Sequence, residues 1–153
     1  MPAGTYELQL SASDGSKHSA FVTHPVSARL HTIGGFGLSD LMLAASAANA
    51  EGPFPVPARL VASQQLVAGV EVTAHDRADL ANVVVRFEVA SAQTRKIVAS
   101  QDVPLSSSGP FSQFARASLN LAGVASGDYL ARASMVVDGA LVGLIDAPIQ
   151  LAK

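Results

Sequence analysis

The chain has 153 residues, 49% hydrophobic and 14% charged, which is enough apolar surface to offset the entropy lost on ordering and excludes a disordered polypeptide. Ten Lys and Arg stand against twelve Asp and Glu, a net charge of −2, so there is no basic footprint for nucleic-acid phosphates or an anionic membrane surface. No cysteine is present, which removes disulfide frameworks and thiolate metal sites.

No apolar run approaches the roughly 20 residues of a spanning helix, so membrane insertion is not expected. The start, Met1 to Tyr6, lacks the basic and apolar regions of a signal peptide; if the protein is exported, its signal lies upstream. The length fits one domain of about 100 residues with an appendage.

From the N-terminus, Gly4-Thr5-Tyr6 is followed by Asp14-Gly15 and by Pro25. Near the other end Gly127-Asp128-Tyr129 is followed by Asp138-Gly139 and by Pro148. Each proline stands 19 positions after its tyrosine, and the two tyrosines are 123 apart. Asp-Gly between alternating apolar runs is a strong hairpin signal, because Gly takes positive φ without steric cost. Both ends of the chain are therefore expected to be hairpins.

An isolated hairpin is marginal in water, so residues 1–30 need a place to dock. Two readings are open. In the favoured one they close a preceding domain of the same type, the 123-residue repeat suiting one sandwich plus a connector; in the other they add strands to the sandwich that follows.

Residues 31–58 read as a linker, with Gly34-Gly35-Phe36-Gly37 as a flexible hinge and Pro53 to Pro57 as loop. Within it a first strand is expected near 38–44. A short helix over 39–50, capped by Ser39 and carrying Leu38, Leu41, Met42 and Ala45 on one face, is the alternative.

Beyond the linker, β-branched residues alternate at sandwich spacing. Val70 and Val72 mark a strand near 66–74. Val83, Val85, Phe87 and Val89 place one face of a strand near 82–90 in the core, with Val84, Arg86 and Glu88 on the other. Ile97, Ala99 and Val103 mark the next strand, then Ala115 to Leu121, then Tyr129 to Val137, and a last strand lies near 141–151. Residues 59–153 are thus expected to form an all-β, antiparallel Greek-key sandwich, of about seven strands when the first strand near 38–44 is counted, with the N-terminal hairpin extra.

The stretch Leu119 to Tyr129, with Leu121 ending one strand and Gly127-x-Tyr129 opening the next, resembles immunoglobulin-like and fibronectin-III-like domains. That resemblance implies a tyrosine corner, in which the ring fills the core and the hydroxyl bonds to nearby backbone; Tyr129 matches it, and Tyr6 matches a partial copy. The chain also resembles the C-terminal β-sandwich region of secreted bacterial proteins related to von Willebrand factor A domains. It shares a Pro-x-Gly-x-Tyr-x-Leu hairpin (Pro2 to Leu8), Leu-Ser-Asp-Leu (Leu38 to Leu41) and Gly-x-Tyr (Gly127 to Tyr129). This second resemblance implies a periplasmic or extracellular spacer or adhesion module without catalytic residues.

The chemistry-bearing residues read as structure. His18, His24, His31 and His75 lack zinc-ligand spacing. His75-Asp76-Arg77-Ala78-Asp79 lacks the pattern of a calcium loop, and Ser106 to Pro110 is a loop with no nucleophile elbow. Asp14, Gly15, Asp138 and Gly139 are turn residues. No metal, cofactor or catalytic group is expected.

The chain is expected to be no enzyme but a structural or protein-interaction module in a tandem, modular protein. Its expected partners are another protein or neighbouring domains, with a homodimer through the N-terminal hairpin as a further option. The alternative is a carbohydrate-binding module, which would need Phe36, Phe54, Phe111 or Phe114 in an exposed row.

Overall fold

The computed structural model describes residues 4–16, 18–28, 30–46, 53–55, 60–107 and 112–152. Two compact units divide the chain, Met1–Leu30 and His31–Lys153.

In the first unit β1 (Gly4–Ser13) and β2 (Ser19–Ala28) form a two-stranded antiparallel sheet. Strand periodicity sorts its side chains. Tyr6 opposite Val26, Leu8 opposite His24, Leu10 opposite Val22 and Ala12 opposite Ala20 share one face. Glu7 with Pro25, Gln9 with Thr23 and Ser11 with Phe21 share the other.

The second unit is an all-β sandwich. Its five-stranded sheet runs β10 (Ile97–Pro104), β9 (Val83–Ser91), β13 (Gly127–Val137), β14 (Ala140–Leu151), β7 (Leu60–Val61). The facing seven-stranded sheet runs β11 (Ser106–Ser107), β12 (Ser112–Asn120), β8 (Gln65–Thr73), β4 (Phe36–Leu38), β3 (His31–Ile33), with β5 (Met42–Ser46) pairing both β8 and β6 (Pro53–Pro55). The chain lays β3 to β6 in the seven-stranded sheet, crosses for β7, returns for β8, crosses for β9 and β10, returns for β11 and β12, and crosses again for β13 and β14. That exchange between layers is compatible with an immunoglobulin-like fold.

The alternation anticipated for β9 places Val83, Val85, Phe87 and Val89 in the core. Across β13 they meet residues sized to fit, since Phe87 lies opposite Ala133, Val89 opposite Ala131 and Val85 opposite Met135. The other layer supplies Leu66, Ala68, Val70 and Val72 from β8, paired with Leu119, Ala117, Ala115 and the neighbouring strands. Each fully buried Val, Leu or Phe contributes about 1.5–3 kcal/mol, so the interdigitated faces hold the two sheets together.

Residues 31–46, expected to be linker with a first strand, contribute β3, β4 and β5. Gly34 and Gly35 are not a hinge. Both have positive φ (55° and 86°) and make the two-residue turn that pairs Ile33 with Phe36, the geometry of a type I′ hairpin. The helical alternative is overturned over 42–46, where Leu43 pairs with Ala68 and Ala45 with Leu66. Edge pairing to the apolar β8 overrides the helix propensity of an Ala-rich stretch. Ser39 caps nothing; its amide donates to the Glu71 carbonyl (2.9 Å), and its Oγ accepts from the Glu71 amide (3.0 Å). Residues 47–50 of that alternative lie outside the described residues.

Ser106 and Ser107 form a short strand against Phe114 and Gln113, and the rest of the expected loop, 108–110, lies outside the described residues. The His75–Asp79 stretch leads into a 3-10 helix, Arg77–Leu80, that buries Leu80. Among the described residues no helix is long and apolar enough to cross a membrane.

Candidate functional site

The corner at the start of β13 is built from Leu121, Gly123, Gly127 and Tyr129. Leu121 is buried, its amide donates to Gln64 O (2.8 Å), and Gly123 takes φ 79° in the turn that follows. Gly127 sits at φ 150°, a region that penalises any Cβ. Tyr129 is buried, and its hydroxyl donates to Ala125 O at 3.0 Å. At the far end of β13, Asp138 (φ 50°) and Gly139 (φ 80°) form the two-residue turn into β14.

The other Asp-Gly pair differs. Ser13 pairs with Ser19 across a longer loop, and Gly15 is not among the glycines with positive φ. Asp14 organises this loop through its side chain. Its Oδ1 accepts from the amides of Ser16 (2.8 Å) and His18 (3.0 Å), and its Oδ2 lies 3.1 Å from His18 Nδ1. The His18 amide, the His18 ring and the Ser16 amide together hold the Asp14 carboxyl below the usual carboxylate range. The expected tight turn fails because three further polar residues precede β2 in sequence, and the Asp14 carboxylate captures the amides of Ser16 and His18.

Away from the turns, the two hairpins share one register. Adding 123 to both members turns every pair from Gly4 with Ala28 to Ala12 with Ala20 into the pairs from Gly127 with Leu151 to Met135 with Gly143. A Cβ on Gly4 would lie 3.6 Å from Tyr6 Cε2, and one on Gly127 would lie 3.8 Å from Tyr129 Cε2, so in both copies the ring folds back over its glycine.

The surroundings of the copies are opposite. Tyr129, Ala131, Ala133 and Met135 are buried, and β13 is paired on its second edge by β9. Of their counterparts, Leu8 and Leu10 are 47% and 57% exposed, while Tyr6 is half-buried. Among the described residues β1 and β2 pair only with each other.

In the second unit a polar cluster covers the outward face of the five-stranded sheet. Arg86 donates to Asp102 through two nitrogens, at 2.7 and 2.9 Å. Those bonds and the guanidinium charge hold the Asp102 carboxyl below its ordinary range. Arg132 reaches Asp146 at 3.7 Å and Glu88 at 4.0 Å, while its Nε is buried without a hydrogen-bond partner among the described residues. A depression of about 250 Å³ lies among Arg86, Glu88, Arg132, Ser134, Leu141 and Leu144.

Both arginines of this cluster, Arg86 and Arg132, already face carboxylates. Sequence reasoning put Arg86 and Glu88 on the outward face. It missed Arg132 and Asp146, whose meeting depends on the β13–β14 register.

His31 Nε2 lies 2.7 Å from Asp40 Oδ1, and among the described residues no group of three or more His, Asp or Glu side chains converges as metal ligands would. Of the phenylalanines named for a sugar platform, Phe36 is buried and the Phe114 ring packs over Gly69, where an added Cβ would come within 2.6 Å of it. Phe111 lies outside the described residues. No protein-family model and no curated protein matches the chain.

Proposed function

We propose that the chain is a non-catalytic, immunoglobulin-like interaction module of a larger exported protein, with the sandwich as a rigid spacer and the N-terminal ribbon as the docking element. One observation carries the reading. Leu8, Leu10, Val22 and Val26 are exposed on one face of the ribbon, around His24, and among the described residues β1 and β2 pair only with each other. Such a face and edge are covered in a working protein, because bare ones aggregate. The kinship with fibronectin-III and secreted von Willebrand factor A-related proteins belongs to the same proposal, supported by the Tyr129 corner and the Gly-x-Tyr motifs at Tyr6 and Tyr129.

The test is a photo-crosslinking residue at position 10 in cells making the whole gene product. Crosslinks to polypeptide, and recovery of the product outside the cytoplasm, are expected. Retention on polysaccharide with no polypeptide crosslink would replace the proposal by the carbohydrate-binding one.

A further inference from the structure

We infer that residues 4–28 are the two closing strands of a second β-sandwich of the same type, whose other strands come before them in the same polypeptide. The inference rests on the interaction-module reading and names its partner. Within this chain the shared register supplies the template, since β13 and β14 show what surrounds a hairpin of this kind.

By that template the free edge of β1 takes an antiparallel strand equivalent to β9, which runs Ser91 to Val83 against Tyr129 to Val137. The end of β2 takes a short parallel strand equivalent to β7, which pairs Leu60 and Val61 with Gln150 and Leu151. The face of Tyr6, Leu8 and Leu10 takes the opposing sheet. Leu8 and Leu10 stand where Ala131 and Ala133 are buried, so the preceding sandwich must offer smaller side chains opposite them, to keep interior packing density.

A second copy of this chain does not fit the vacancy, because its own β13 and β14 already fill the equivalent place between β9 and β7. On the outer face Phe21 maps onto Leu144, which is 42% exposed in the covered copy, so both copies carry a large apolar side chain at the same outward position.

The chain has no cysteine, so single thiols report cleanly. Leu10→Cys places one on the inner face and Ser11→Cys one on the outer face. In the whole polypeptide the thiol at position 10 is expected to react at least about 100-fold more slowly than that at position 11, independently of concentration. In the 153-residue chain alone the two are expected to react at similar rates. Hydrogen exchange of the β1 amides in the unsubstituted proteins gives the same comparison without a core substitution.

Slowing that appears only as concentration rises, with doubled mass, would overturn the inference in favour of a dimer. Slowing only after a separate protein is added would overturn it in favour of a partner in trans. Either result leaves the interaction reading standing. A position 10 that stays reactive under every condition, or a whole polypeptide with no sandwich ahead of these strands, removes the inference; the first of these removes the interaction reading too.

Discussion

The Tyr129 hydroxyl donates to the backbone carbonyl of Ala125 across 3.0 Å, tying β13 to the turn that delivers the chain from one sheet to the other. Gly127 lies inside this loop at a φ that excludes a Cβ, so corner and crossover are one device. Tyr129→Phe keeps the ring and deletes the bond. A loss of about 1 kcal/mol is expected, read as a lower denaturant midpoint with an unchanged slope. Unchanged stability would mean that the bond holds nothing.

The two sheets also meet at their rim. A Cβ added to Gly143 would run into the Ile33 side chain, which packs over it. Gly143→Ala is expected to cost about 1–3 kcal/mol through overpacking. Combining it with Ile33→Ala, which removes the obstructing methyls, should recover part of that loss in a double-mutant cycle. Additive losses would show that the side chains do not meet.

Arg132 stands between Glu88 and Asp146 with side-chain exposures of 23%, 11% and 42%. Arg132→Met leaves the nearly buried Glu88 carboxylate without its counter-charge, while Glu88→Gln alone leaves the arginine under-compensated. Each is expected to cost about 1–2 kcal/mol, discounted for solvent contact. The double variant is expected to cost less than the sum, measured by chemical denaturation.

Asp102 provides a pH signature. Its carboxyl is held low by the hydrogen bonds and charge of Arg86, so the folded state binds its proton less readily than the unfolded chain does. That stabilisation is complete above the unfolded value, near 3.9, and is lost as pH falls through the lower folded value. A carboxyl-carbon NMR titration should place the Asp102 midpoint below the ordinary range, and Arg86→Met should return it there. A midpoint at or above the ordinary value contradicts the pairing.

The core strands were legible because their side chains alternate, and Val83, Val85, Phe87 and Val89 needed no more than a period of two. The Asp138-Gly139 turn and the existence of an N-terminal hairpin were legible from local chemistry, whereas the Tyr129 corner was only implied by the resemblance of Gly127-x-Tyr129 to fibronectin-III-like and immunoglobulin-like domains. Other features were not legible, the Gly34-Gly35 turn among them. Asp14-Gly15 carries the same dipeptide as Asp138-Gly139, yet hydrogen bonds to the Asp14 carboxylate reshape its loop. Met42–Ser46 reads equally as helix or strand until the edge of β8 is beside it. The meeting of Arg132 with Asp146 requires a register that spacing along one strand does not reveal.

Most directly at issue is whether one hairpin pattern exists here in two states, covered at 127–151 and bare at 4–28. Residue-resolved hydrogen exchange on the 153-residue protein compares the β13 amides with those of β1. Openings near the core cost several kcal/mol and those in an unsupported ribbon cost close to none, so exchange in β1 should be faster by about a thousandfold or more, at every protein concentration. Equal protection of Leu8 with Ala131 and of Leu10 with Ala133 in a monomer would contradict it.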